Sequence, residues 1–151
     1  MQKIVVTRTI EAPIGVVFAE YTDHERLADL PMVISAKVVV PGRAEKNGLG
    51  AVRVVNGGVV VLREEITAFE RPRLMEYRIR QSRPASTHEL GRVEFTEVPD
   101  GTRVTWTTVF GITNPILRKV EPAFSVAFRL IFTMTLDQVA KRAVAAARKG
   151  R

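Results

Sequence analysis

Glu64 is the residue whose type and position most directly indicate chemistry in this sequence. The segment ERPR (70–73) has the composition of a four-residue hairpin loop, which pairs Glu64 with Ile79. Ile66 and Tyr77 form the next pair on the same apolar face. A carboxylate buried without a partner is costly, so it binds a proton, pairs with a cation or meets a ligand. Glu64 is therefore predicted to be an acid–base group or a polar anchor.

Arg53 is the candidate partner of Glu64. A two-residue turn at Asn56-Gly57 or Gly57-Gly58 puts Arg53 on the same face of the adjacent strand, displaced diagonally from Glu64. A three-residue turn reverses this parity. Two roles stay open for the pair: an internal ion pair in which each charge is neutralised by the other, or a polar anchor that contacts a ligand.

Other residue types common in catalytic and metal sites are not grouped. His24 lies near a helix start and His88 falls on the outward parity of its strand, so neither is expected to meet a buried base, acid or metal cluster. No serine lies in a nucleophile-elbow motif, and GLGAVR (48–53) lacks the helix that a dinucleotide fingerprint requires. We expect neither a metal nor a cofactor.

A second hairpin extends the apolar face. The dipeptide DG (100–101) is a strong two-residue turn signal, and it sets Phe95 opposite Trp106. The same register sets Gly91 opposite Phe110. The other face of this hairpin carries charged and hydroxyl residues, so the two predicted hairpins agree on one apolar, concave face.

The order of the elements predicts an α+β container. Strand-like segments run to about Phe110, and one long amphipathic helical segment follows from about Asn114 to Lys149. A curved antiparallel sheet wrapped around such a helix encloses an interior. The remaining predicted elements are strands at 3–11, 33–40 and 49–55 and short helices at 13–21 and 24–30.

The apolar part of the final helix has more than one interpretation. The segment AFSVAFRLIFTMTL (123–136) is apolar except for Arg129 and small hydroxyl residues. Its fourteen residues are too few to cross a bilayer, which needs about 20. We expect a helix gripped by the sheet and no transmembrane segment. A helix that touches a membrane and a homodimer face stay open as alternatives.

Composition restricts the class of protein. The 151 residues fit a single domain, 1–151, with an ordinary globular balance of 46% hydrophobic and 26% charged residues. The net charge of +7 is interleaved with acidic residues, which indicates a solvated basic face and no nucleic-acid partner. The chain has no cysteine, and MQKIVVTRTIEAP (1–13) lacks the apolar core of a signal peptide. A cytoplasmic protein is expected.

Four segments in order before a long helix carry a resemblance to a known family. They are EAPIGVVFAEYTD (11–23), GLGAVRVV (48–55), REEITAFERPRLMEYRI (63–79) and DGTRVTWTTVF (100–110). The chain resembles the START-related polyketide cyclase/dehydrase and lipid-transport superfamily, known as SRPBCC. The resemblance implies a helix-grip fold: a seven-stranded antiparallel sheet, two short helices after the first strand, and a cavity between sheet and final helix.

The same resemblance leaves the function open. Members of the superfamily bind sterols, lipids, quinones, hormones or polyketides, and some act by contacting other proteins. Similar sequences often carry a tryptophan in the second short helix, where this chain has ERLADLP (25–31), so the cavity mouth is expected to differ.

Three hypotheses follow for the function. The first is non-catalytic binding or transfer of a small hydrophobic or aromatic ligand. The second is a cyclase/dehydratase-type enzyme in which Glu64 acts as acid or base on a carbonyl substrate held against Trp106. The third is a protein-interaction scaffold of the chaperone-cofactor type, with the cavity filled by side chains. The predicted ligand-binding residues are Arg53, Glu64, Ile66, Met75, Tyr77, Phe95, Trp106, Phe110, Phe124, Phe128 and Phe132.

Overall fold

The strands form a single antiparallel sheet of seven strands, as predicted. The structure is a computed structural model and describes residues 1–150. The strand order across the sheet is β1-β7-β6-β5-β4-β3-β2, so β1 and β2 are the edges. The strands are β1 (Gln2–Ile10), β2 (Ser35–Val40), β3 (Val52–Asn56), β4 (Val61–Glu70), β5 (Leu74–Arg83), β6 (Ser86–Val98) and β7 (Gly101–Ile112).

Two short helices follow β1, and two helices follow β7. Helix α1 (Ile14–Tyr21) begins directly after Pro13, and a 3-10 helix (His24–Asp29) comes next. The predicted continuous helix from Asn114 is divided into α2 (Pro115–Arg118) and α3 (Glu121–Lys149). The division follows from Pro122, which lies in the first turn of α3 and cannot continue a preceding helix.

Helix α3 is the core helix of the fold. By length and composition alone it could cross a membrane. Its C-terminal half instead packs into the interior, where Leu136, Val139 and Ala143 are fully or almost fully buried. Helix α3 contacts β1, β7 and α1, so one helix closes the sheet as predicted.

Helix α1 divides the apolar face of the sheet into two regions. Phe18 of α1 packs edge-on against Phe69 and Phe95, with ring centroids 5.1 and 5.0 Å apart. Ile66 and Met75 are fully buried in the same cluster. These residues lie near the β4–β5 turn, where α1 covers the sheet. The other end of the sheet faces the N-terminal half of α3, and no side chain of α1 lies between them.

The β6–β7 turn comes slightly earlier than predicted. Val98 pairs with Gly101, so Phe95 faces Val104 and Trp106 faces Val93. Gly101 is required because its φ is 142° and a Cβ there would collide with the Ile10 carbonyl oxygen. The register is therefore shifted by two residues, and because strand faces alternate with a period of two, the residues from Gly91 to Phe110 keep their predicted faces.

The predicted β4–β5 register holds in the middle of the hairpin. Glu64 pairs with Ile79 and Ile66 with Tyr77, as predicted. The pairing then shifts between Ile66 and Ala68, so that Phe69 instead of Ala68 lies opposite Met75. The extra residue places a large aromatic ring next to α1.

Replacing Trp106 tests the packing of this face. Trp106 is buried and stacks on Phe132 of α3, with ring centroids 3.8 Å apart. Trp106→Ala should lower the free energy of unfolding by about 3–5 kcal/mol, because it leaves a large gap. Trp106→Phe keeps an aromatic ring against Phe132 and should cost less. Urea unfolding followed by circular dichroism measures both, and a near-neutral Trp106→Ala would contradict this packing.

Candidate functional site

A cavity of about 230 Å³ lies between the sheet and the N-terminal half of α3. Its wall is mainly apolar and includes eight of the predicted ligand-binding residues: Arg53, Glu64, Tyr77, Trp106, Phe110, Phe124, Phe128 and Phe132. The other three, Ile66, Met75 and Phe95, belong to the packed core under α1 and do not line the cavity. The predicted residues on the strands were grouped because they share one apolar face of the sheet, but α1 covers one end of that face.

Two loops complete the wall in a way that the sequence did not predict. The 3-10 helix and the chain after it contribute Leu27, Leu30, Met32 and Val33, and the β3–β4 loop contributes Gly57, Val59 and Val60. Val59 is 80% exposed although it lines the cavity, so the mouth opens at this loop. Leu27 and Leu30 lie in ERLADLP (25–31), the segment where the chain departs from similar sequences.

Arg53 and Glu64 form a buried ion pair in the cavity wall. Both residues are 4% exposed, and Arg53 Nε donates a hydrogen bond to Glu64 Oε1 at 2.9 Å. Asn56 pairs with Val61, which leaves a four-residue connection between β3 and β4. The even loop length preserves the predicted face and places the pair directly opposite each other, not diagonally.

His24 is bonded to this ion pair, so the prediction that it meets no buried charged group is wrong. Arg53 Nη1 lies 2.9 Å from His24 Nδ1, and His24 Nε2 lies 2.9 Å from the Asn47 carbonyl oxygen. Since arginine only donates, Nδ1 accepts and Nε2 carries the proton. Burial and then the Arg53 charge lower the pKa of His24 to about 3. The 3-10 helix turns its first residue toward β3, so His24 meets a buried charge that its position in the sequence did not reveal.

Burial and the charges of this group set the pKa values of Arg53 and of the neighbouring Tyr77. Burial alone lowers the pKa of Arg53, but Glu64, with Tyr21 and Tyr77, reverses this effect and leaves that pKa raised. Burial and then the charge of Glu64 raise the pKa of Tyr77 to about 12. The Arg53 guanidinium lies over the Tyr77 ring at 5.2 Å. Arg53 therefore stays charged and the Tyr77 hydroxyl stays protonated at neutral pH.

His88 lines the cavity because β6 contains a bulge. The β6–β7 pairing shifts between His88 and Leu90, which leaves Glu89 as the extra residue. Unbroken alternation along the strand predicted an outward His88, and the bulge makes that prediction wrong: the side chain is buried. Burial and the charge of Arg78 lower the pKa of His88 to about 4.

A second polar network runs from His88 to Trp106. His88 Nδ1 accepts from the Ile79 amide, so Nε2 carries the proton and donates to Thr108 Oγ1 at 3.0 Å. The Tyr77 hydroxyl accepts from Trp106 Nε1 at 2.9 Å and lies 3.4 Å from Thr108 Oγ1. Each of these side chains has a partner within the protein, so this network forms a closed part of the wall.

Gly91 makes room for the Tyr77 ring. A glycine inside a strand normally weakens it and often marks a close approach. A Cβ at Gly91 would lie 2.5 to 2.8 Å from carbons of the Tyr77 ring, which is too close for a real contact. The ring therefore lies directly on β6, and its hydroxyl reaches Thr108 and Trp106.

The Arg53–Glu64 pair offers polar contacts by which a ligand can be recognised. Hydrogen bonds to Glu64 and His24 leave further N–H groups on Arg53, and one Glu64 oxygen has no bond to Arg53. Within residues 1–150, no group of three or more histidine, aspartate or glutamate side chains could hold a metal ion. The site is an apolar cavity with a net-neutral hydrogen-bonding pair in its wall.

The two histidines should make stability depend on pH. Both are neutral in the folded state with pKa values below the ordinary value near 6.5. Their contribution is fully present above pH 6.5 and is lost as pH falls, by about 1.4 kcal/mol per histidine and pH unit. In urea unfolding between pH 6.5 and 4.5, His24→Gln and His88→Gln should each show a shallower loss than the original protein. Identical slopes in all three proteins would contradict these assignments.

Comparisons with known proteins agree with this architecture. The sequence profile of the family described as polyketide cyclase / dehydrase and lipid transport matches residues 1–144. Among curated proteins, none matches the sequence significantly.

Solved structures share the fold at low sequence identity. The protein TTHA0849 from Thermus thermophilus superposes with a TM-score of 0.78 at 21% identity, covering 97% of this chain and 99% of that one. A protein from Nitrosospira multiformis gives 0.70 at 17% identity, with coverage of 97% and 99%. A START superfamily protein from Mycobacterium smegmatis gives 0.65 at 10% identity, with 99% of both chains covered. The resemblance seen in the sequence is confirmed: the chain belongs to the polyketide cyclase/dehydrase and lipid-transport family.

Proposed function

We propose that this protein binds a small, neutral, largely aromatic molecule that carries one hydroxyl or carbonyl oxygen, and that binding involves no catalysis. The observation that carries the proposal is the buried Arg53–Glu64 ion pair in the wall of a mainly apolar cavity. Family membership supports a hydrophobic ligand. Three features of the cavity support a neutral aromatic ligand with one oxygen: its size, the Arg53–Glu64 pair in its wall, and the balance of charge within that pair.

The size of the cavity favours a ligand of one or two fused rings. An apolar protein cavity of about 150 Å³ holds benzene. The cavity here measures about 230 Å³, and aromatic side chains such as Phe110, Phe128 and Trp106 contribute to its wall. Flat ring systems make favourable edge and face contacts with such walls.

The polar pair favours a neutral oxygen on the ligand. A hydroxyl group can accept from a free N–H of Arg53 and donate to Glu64, and a carbonyl can accept from Arg53. An anionic group would be buried beside the Glu64 carboxylate, and a cationic group beside Arg53. Because desolvating a charge is expensive and the pair is already balanced, charged ligands gain less than they lose.

The other two hypotheses have less support. An acid–base mechanism has to protonate Glu64 on the oxygen that Arg53 leaves free, and a neutral Glu64 would leave the buried Arg53 charge without its counter-ion. A scaffold whose interior is filled by side chains does not require a cavity, and this interior has one of about 230 Å³.

A matched series of probes tests the proposed ligand class. Naphthalene, 2-naphthol and 2-naphthoate share one ring system and differ in their polar group. At neutral pH, 2-naphthol should bind about tenfold more tightly than naphthalene, because it gains a hydrogen bond to a charged group. 2-Naphthoate should bind more weakly than 2-naphthol. Quenching of Trp106 fluorescence measures all three affinities. No binding of any probe would overturn the cavity as a binding site, and equal affinities would overturn the role of the polar pair.

The double variant Arg53→Met/Glu64→Leu is the control for this series. Replacing both members of a buried ion pair by apolar residues is often tolerated, whereas removing one partner costs about 3–5 kcal/mol. The double variant should keep its affinity for naphthalene and lose the preference for 2-naphthol. A preference that survives in this variant would assign recognition to another group, such as His88.

Glu64→Gln separates binding from catalysis. The substitution keeps the shape of the wall, so naphthalene should still bind under all conditions in which the variant is folded. Native mass spectrometry of the protein purified from its own host identifies any retained molecule. Conversion of that molecule by the protein would overturn the non-catalytic proposal, and loss of the conversion in Glu64→Gln would assign Glu64 as its acid or base.

A further inference from the structure

The first half of α3 carries an apolar surface that is exposed to solvent. Val126 is 70% exposed and Leu130 is 58% exposed. Ala123 and Ala127 are exposed at the helical spacing that places them beside these two residues, and Val120 precedes them on the same side. We call these five residues the outer apolar face.

The outer apolar face is separate from the cavity wall. Phe124, Phe128 and Ile131 line the cavity from another side of the same helix. The first half of α3 is therefore apolar both toward the cavity and toward solvent. Among residues 121–134, Glu121 alone is buried, whereas the C-terminal half of α3 buries Leu136, Val139 and Ala143. Exposed apolar surface of this kind marks an interaction site.

The charges beside the outer apolar face are mainly positive. Asp137, two turns beyond Leu130 on the same side of α3, forms an ion pair with Arg8. Arg118, Lys119 and Arg129 are exposed. The acidic residue of this stretch, Glu121, is buried; its carboxylate accepts from the Ile112 amide and lies 3.2 Å from the amino group of Met1. From residue 114 to residue 136, every exposed charge is therefore a cation.

We propose that the outer apolar face docks on an anionic lipid surface, with α3 lying along the membrane and not crossing it. An apolar helix face bordered by cations fits the boundary between acyl chains and acidic headgroups. A second copy of the chain fits less well, because a two-fold contact between identical faces would bring the same cations together. The C-terminal half of α3 is held in the core and cannot leave it to span a bilayer.

Vesicle co-sedimentation tests this proposal. The full chain should sediment with phosphatidylcholine vesicles that contain phosphatidylglycerol, and much less with pure phosphatidylcholine. High salt should weaken the binding because it screens the cations. Val126→Ser/Leu130→Ser should bind the anionic vesicles at least tenfold more weakly, because it removes the two most exposed apolar side chains of α3.

Val39→Ser/Val40→Ser is the matched control, since both residues are exposed on edge strand β2. It should bind vesicles like the original protein. Affinity for 2-naphthol should be unchanged in both double variants, so failure of docking and failure of the proposed function can be distinguished. No binding to anionic vesicles, equal binding by Val126→Ser/Leu130→Ser, or a dimer in analytical ultracentrifugation that this variant dissociates would each overturn the proposal.

Discussion

The buried pair of Arg53 and Glu64 is the constraint on which the rest of the site depends. Each charge in the apolar wall would be prohibitively costly alone, and each is stabilised by the other at 2.9 Å. Their opposition across β3 and β4 requires an even loop between these strands. His24 must then stay neutral to accept from Arg53, and Tyr77 must stay protonated beneath it. The neutral state of His24 and the protonated state of Tyr77 therefore follow from the register between β3 and β4.

Helix α3 explains why the interior is packed at one end and open at the other. Leu136, Val139 and Ala143 fill the space beside α1. The earlier part of the helix meets the sheet through aromatic pairs, with Phe132 stacked on Trp106 and Phe128 edge-on against Phe110. Large aromatic residues there, including Phe124 and Phe128, border a cavity instead of closing it. The same helix thus supplies the stability of the fold and the wall of the site.

The sequence predicted the fold and the wall more accurately than the local departures from regular structure. Alternation and turn signals placed Arg53, Glu64, Tyr77 and Trp106 correctly on the apolar face, because a period of two tolerates an error of two residues in register. His88 was missed because a single extra residue reverses the parity of a strand. Which part of the apolar face α1 covers depends on tertiary packing, which alternation along the strands does not encode.

The most direct test of the account uses the one tryptophan of the chain. Its indole N–H gives a single resonance in a nitrogen–proton NMR spectrum, and Arg53 Nε–H can be assigned by its loss in Arg53→Met/Glu64→Leu. During titration with 2-naphthol, both resonances should shift together and saturate at the same concentration. Shifts confined to surface amides, with the indole and Arg53 signals unchanged, would contradict the claim that the cavity binds its ligand at the buried ion pair.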